Sequence, residues 1–278
     1  MIRKQTKLLI YAALAMLLCV GKAFCQQGTY FTTPEAKKCS EVIKDDVEKG
    51  ELPYVEKNQS LSGNSCSMAG CRHGKTECNN KKIVQGVGID DEIIEPKERF
   101  IDYVAWLKTI DFNPSVIYTS PLKRAIQTGE GIKEALGTKI PSRQDKKLTD
   151  VDYGDLEKKP IKEVTDTPSF KEMYLDIKKS APGSKDTYAK RIIEMYQAIN
   201  SIAEDNPGEK VILIGSQYPL NLFFSLINGE FYTNVPNFSK IVMNVVPGKC
   251  CDRHPNFPVK NCKHCKPMQV TIKNYDKR

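Results

Sequence analysis

The chain has 278 residues with 42 basic and 34 acidic side chains, a formal net charge of +8. That length holds one large α/β domain or two small ones. Four basic and no acidic side chains fall in residues 1–25, so the rest of the chain carries only +4. With no Lys/Arg block interleaved with aromatics, nothing points to nucleic-acid binding.

The opening reads as an export signal. Arg3, Lys4 and Lys7 precede an apolar run from Leu8 to Val20, shorter than the about 20 residues a membrane span needs. Small residues follow, and cleavage is expected after Ala23 or Cys25. The remainder would then be secreted or otherwise extracytoplasmic (periplasm or secretory pathway), without a membrane contact. Eight cysteines remain after Cys25: Cys39, Cys66, Cys71, Cys78, Cys250, Cys251, Cys262 and Cys265. An even number in an exported chain points to disulfides.

Residues 26–65 are expected to form an N-terminal extension packed on the outside. Its one helix has Ala36, Cys39, Val42, Ile43 and Val47 at helical spacing, with Gly50 ending it. A polar loop runs from Asn58 to Ser65, and Asn58 and Asn237 each head an Asn-x-Ser triplet, the glycosylation acceptor pattern. Residues 67–70, Ser-Met-Ala-Gly, make a poor strand by composition. An amphipathic helix is predicted from Pro96 to Thr109, a short buried strand over Val116–Tyr118, and a helix opened by Pro121 that runs to Leu136. Tyr188, Ile192, Tyr196, Ile199 and Ala203 make one stripe of a helix over 186–204. A buried strand at Val211–Ile214, a helix around Leu220–Ile227 and late strands at 240–246 and 269–273 complete the reading. Strands alternating with helices argue for a mostly parallel sheet covered on both faces, in one domain over 66–278.

Three segments carry the chemistry. The first is Cys71-Arg72-His73-Gly74-Lys75-Thr76-Glu77-Cys78-Asn79. Arg72 offers a planar charged fork that matches phosphate oxygens, His73 a neutral imidazole nitrogen as nucleophile, and Gly74 a backbone able to approach an anion. The second, Tyr118-Thr119-Ser120-Pro121-Leu122-Lys123-Arg124-Ala125-Ile126-Gln127-Thr128, leads from a strand end into a helix N-terminus, a place suited to an anion. The third is Leu148-Thr149-Asp150-Val151-Asp152-Tyr153-Gly154-Asp155-Leu156-Glu157. In this order and spacing they resemble the signature segments of the histidine phosphatase (phosphoglycerate mutase-like) superfamily.

That resemblance implies a three-layer α/β/α sandwich and a two-step phosphoryl transfer without metal or organic cofactor. His73 would attack phosphorus and form a phosphohistidine, while Arg72, Arg124 and Asn79 hold the phosphate. Asp150, where the family usually has Glu, would protonate the leaving oxygen, with Asp152 as the nearby alternative. The ligand would be a phosphorylated small molecule or another anion. The pattern breaks at Val211-Ile212-Leu213-Ile214-Gly215-Ser216-Gln217-Tyr218, where the family's strand ends in a second His and Ser216 stands in its place. Ser216 and Gln217 can still donate hydrogen bonds, but neither supplies charge. Lys75, where the family often has an acid, adds a compensating charge. Two functions are therefore expected: an exported phosphomonoesterase with weakened activity or, alternatively, an inactive relative that binds an anionic ligand or a partner protein. Substrate choice would lie in 87–113 and 155–185. In the tail, Cys250, Cys251, His254, Cys262, His264 and Cys265 resemble a zinc ligand set; export favours two local disulfides and no metal.

Overall fold

A computed structural model describes residues 34–61, 64–229 and 235–274. The expected export signal lies outside them. Seven strands form one sheet in the order β1-β7-β6-β2-β5-β3-β4. They are β1 (Val55–Lys57), β2 (Cys66–Arg72), β3 (Val116–Thr119), β4 (Ser142–Gln144), β5 (Lys210–Gly215), β6 (Ile241–Val246) and β7 (Met268–Asn274). Only β6 runs against the others.

The side-chain alternation of the central strands fixes the layers. Met68 of β2 with Val211 and Leu213 of β5 faces one core. That core is shared with α7 (Tyr188–Asp205) and α8 (Gln217–Asn228). Ala69 and Cys71 with Ile212 and Ile214 face the other, shared with α3 (Lys97–Thr109) and α4 (Lys123–Leu136). Helices on both faces make the three-layer α/β/α sandwich. The predicted stripe of α7 is wholly buried, and Thr187 caps the helix by accepting from the Lys190 N–H.

Several elements differ from expectation. α1 (Pro34–Glu48) does not merely lie on the outside. Cys39 and Ile43 join a third core with Tyr153, Val164 of α5 (Ile161–Thr165), Phe170 and Met173 of α6 (Pro168–Leu175), and the outer side of α7. The same N-terminal segment supplies β1, which pairs with β7. Residues 66–72 form the middle strand of the sheet despite their small side chains. Hydrogen-bonded neighbours on both edges, β5 and β6, impose the extended backbone there. Pro121 precedes α4 rather than opening it, because Leu122 is the N-cap.

Candidate active site

Strands β2, β5, β3 and β4 are parallel neighbours, so the residues after their carboxyl ends fall in one row. His73 follows β2, Ser216 follows β5, Arg124 lies in the first turn of the helix after β3, and Asp150 follows β4. Open α/β sheets place ligands at this edge. His73, Arg124, Asp150 and Ser216, four predicted site residues separated by up to 143 positions in sequence, are thereby assembled.

Arg124 is the hub. It is fully buried, and four hydrogen bonds leave its guanidinium. Nε donates to His73 Nε2 at 3.2 Å, Nη1 to the Ile89 carbonyl at 3.0 Å, and Nη2 to the Gly86 carbonyl at 2.7 Å and to Asp150 Oδ2 at 3.0 Å. Asp150 Oδ1 accepts from its neighbour Val151 N–H at 2.9 Å. A buried charge persists only when paired and hydrogen-bonded in this way.

The partners of His73 define its tautomer. Nδ1 lies 2.8 Å from the Gly74 carbonyl, which cannot donate, so the proton sits on Nδ1 and Nε2 is the lone-pair nitrogen that accepts from Arg124. Burial, and then the positive charges of Arg72 and Arg124, push its pKa well below the ordinary 6.5. The ring is therefore neutral throughout the physiological range. The unfolded chain binds a proton near pH 6.5 and the folded chain does not, so stability falls as pH drops below that value. The slope approaches about 1.4 kcal/mol per pH unit. Melting temperatures measured from pH 7.5 down to 5.5 should fall more steeply for the wild type than for His73→Asn. Parallel curves would refute this assignment.

Two donors next to His73, one in the chain and one in the sheet, have no partner among the described residues. Arg72 Nη1 donates to the Val235 carbonyl at 2.9 Å, but its Nε is sealed from solvent and unmatched. Burial lowers the Arg72 pKa to about 10; Asp150 opposes that shift and Arg124 adds to it. The group stays charged at neutral pH. Ser216 is fully buried, it N-caps α8 without a side-chain bond, and its Oγ is also unmatched. Arg72 pairs with Gly215 in the sheet, and His73 N–H donates to the Gly215 carbonyl at 3.0 Å. The two residues thus sit next to His73, Arg72 in the chain and Ser216 on the adjacent strand's end.

Other expected site residues are placed differently. Asn79 closes a capping box for the short helix α2 (Glu77–Lys81): its Oδ1 accepts from Thr76 N–H while Thr76 Oγ1 accepts from Asn79 N–H. Its carbonyl oxygen is thus bound to the backbone, and the capping box does not use its Nδ2. Asp152 Oδ1 accepts from Gly154 N–H at 2.9 Å, so this carboxylate shapes a turn, whereas Asp150 is the carboxylate that meets Arg124. The missing Cβ of Gly74 makes room for Glu95 and Phe238, not for an anion; a Cβ there would stand 2.9 Å from Glu95 Cγ. Lys75 is exposed, and Gln217 is half-buried as the first residue of α8. The N-terminus of α4 is filled from within: Asp90 Oδ1 accepts from Lys123 N–H at 2.6 Å.

Sequence reading missed the residues that hold this arrangement. Asn237, read as a glycosylation triplet, donates from Nδ2 to the His73 carbonyl at 2.5 Å. Ser239 Oγ accepts from Arg72 N–H at 3.0 Å, and Thr128 Oγ1 accepts from Gly74 N–H at 2.8 Å. Segment 85–92 covers Arg124. Gly86 there has φ +56°, and a Cβ would fall 2.0 Å from Glu157 Oε1. Glu157 binds the N–H groups of Val87 and Gly88, and burial raises its carboxyl pKa. Thr128 and Glu157 belong to the quoted motifs, but nothing in them marks a positioning role, and no local signal singles out Asn237.

Comparison with known proteins agrees with this geometry. Residues 71–245 match the model of the histidine phosphatase superfamily, branch 1. Fructose-2,6-bisphosphatase TIGAR of Xenopus tropicalis is 34% identical over 96 residues. That stretch spans 34% of this chain and 34% of that relative, well under two thirds of the relative's length. Phosphoglycerate mutase from Bacillus anthracis superposes with a TM-score of 0.58 at 16% identity, covering 77% of this chain and 94% of the other. Phosphoserine phosphatase from Entamoeba histolytica, solved with 3-phosphoglyceric acid, gives 0.53 at 17%, covering 65% and 90%. At such identities these structures show the fold alone. The family-model match spans more than half of the sequence and contains the row of residues from His73 to Ser216: the chain belongs to the histidine phosphatase superfamily.

Proposed function

We propose that this protein is a phosphomonoesterase working through a phosphohistidine on His73, with turnover reduced by Ser216, and that it acts outside the cytoplasm after export. The carrying observation is the pair of buried donors unmatched among the described residues, Arg72 Nε and Ser216 Oγ, at the carboxyl ends of the adjacent strands β2 and β5 with His73, whose Nε2 bears a lone pair. Buried donors are almost always satisfied, so two unclaimed ones beside a nucleophile call for an anionic acceptor. A phosphoryl group there would draw the Arg124 guanidinium off Nε2, and the freed lone pair would attack phosphorus. As the P–O bond breaks, the leaving oxygen would take a proton by way of Asp150, and water would then attack phosphorus, breaking the N–P bond and giving its proton to that carboxylate. The relatives are named for phosphorylated small molecules, including fructose-2,6-bisphosphate and phosphoserine, and a substrate of that class fits this site.

A second reading has its own support. His73 is 2% exposed and Arg124 and Ser216 are 0% exposed, with segment 85–92 bound over the guanidinium. A closed site whose arginine is satisfied internally suits a non-catalytic binder of anions or of a partner protein. The test is phosphate release across a panel of phosphomonoesters at acidic and neutral pH. His73→Ala should abolish all release seen with the wild type, and the wild type should trap phosphate on His73. A wild type no faster than His73→Ala on every substrate would leave the binding reading.

A further inference from the structure

The loop between β6 and β7 gathers three sulfurs to one point. Cys265 Sγ lies 3.3 Å from Cys251 Sγ, which lies 3.7 Å from Cys262 Sγ, and all three fall within 4.8 Å of one another. Thiolates bound at about 2.3 Å to one tetrahedral zinc ion stand about 3.8 Å apart, so this spacing is that of a metal-ready set. Two disulfides would need the four tail sulfurs in pairs. Cys250 is outside the group and exposed, and joining any two of the clustered thiols leaves the third over.

The backbone repeats one device twice. His254 N–H donates to the Cys251 carbonyl at 2.9 Å, and Cys265 N–H to the Cys262 carbonyl at 3.3 Å. Each turn brings its first and fourth residues together, giving Cys251 with His254 and Cys262 with Cys265. Cys-x2-His followed by Cys-x2-Cys is the donor inventory of a closed structural zinc site.

We propose that Cys251, Cys262 and Cys265 hold a single zinc ion, with His254 turning its imidazole in as the fourth ligand. Binding involves no redox step: the three thiols lose their protons to solvent, and His254 binds neutral. The ion would fix a loop that ties the N-terminal segment to the sheet. Tyr54 N–H donates to the Pro258 carbonyl, Lys260 pairs with Glu48, and Phe257 packs against the main core.

The test uses the full chain, expressed with its leader and purified without chelator. Metal analysis should find one zinc ion per chain, and chelation should lower the melting temperature. Cobalt(II) exchanged for zinc should give the intense visible bands of a tetrahedral site and a thiolate-to-cobalt charge-transfer band. Cys262→Ser should remove the charge-transfer intensity of one thiolate, and His254→Ala should shift the visible bands. A metal-free protein whose mass is short by the hydrogens of one or two disulfides in the tail would overturn the proposal. So would a cobalt spectrum indifferent to Cys262→Ser. None of these readouts depends on phosphate release, so the zinc site and the phosphatase reading stand or fall separately.

Discussion

Ser216→His is expected to raise phosphate release by about 10²–10³, the effect of one preorganised donor on a developing oxyanion. Ser216 sits at the carboxyl end of β5, beside His73 in the sheet, where its short side chain finds no partner among the described residues. An imidazole there would extend a donor further toward the phosphoryl oxygens than the hydroxyl reaches. Ser216 is fully buried, so turnover and melting temperature must be read together. A gain in turnover with little change in melting temperature establishes that Ser216 limits catalysis. An unchanged melting temperature with no gain would sink this assignment. A large fall in melting temperature with no gain would mean the space has been rebuilt, as the binding reading requires.

Arg124→Ala should do more damage than any other single change at the site. It removes the donor that Asp150 Oδ2 accepts from, together with donors to the Gly86 and Ile89 carbonyls. Breaking one side of a buried ion pair costs about 3–5 kcal/mol, a large fraction of a typical domain's stability. Binding of vanadate or phosphate should weaken by at least about tenfold for each lost charge-assisted hydrogen bond. Arg124→Lys separates the two effects. It keeps a charge beside Asp150 and should recover part of the stability, but a point charge cannot bond His73, two carbonyls and a carboxylate at once. Anion binding measured by calorimetry should therefore stay weak in Arg124→Lys. Wild-type affinity in that variant would show that charge alone, not the fork, holds the ligand.

The helix stripe at 188–203, the strands at 116–119 and 210–215, and the Arg-His-Gly and Ser-Pro-Leu-x-Arg-Ala segments were legible because each signal is local. Periodicity and motif spacing are properties of a few consecutive residues, and these pointed to the fold class and to His73, Arg124 and Asp150, which the structure brings into contact. The rest depended on neighbours distant in sequence. β2 is extended because β5 and β6 bond it on both edges, whatever its composition. β4, with its three side chains exposed, has no alternating pattern to read. Asn79 also closes a local capping box through its Oδ1, a role its place in the motif did not announce. Asn237 reaches the His73 carbonyl across 164 residues, a contact that exists only once strand order is set. Which thiols of the tail meet, and how segment 85–92 closes over Arg124, were likewise decided by the tertiary structure. Strand order follows from burial of both sheet faces summed over the whole domain, and no single stretch of sequence carries that sum.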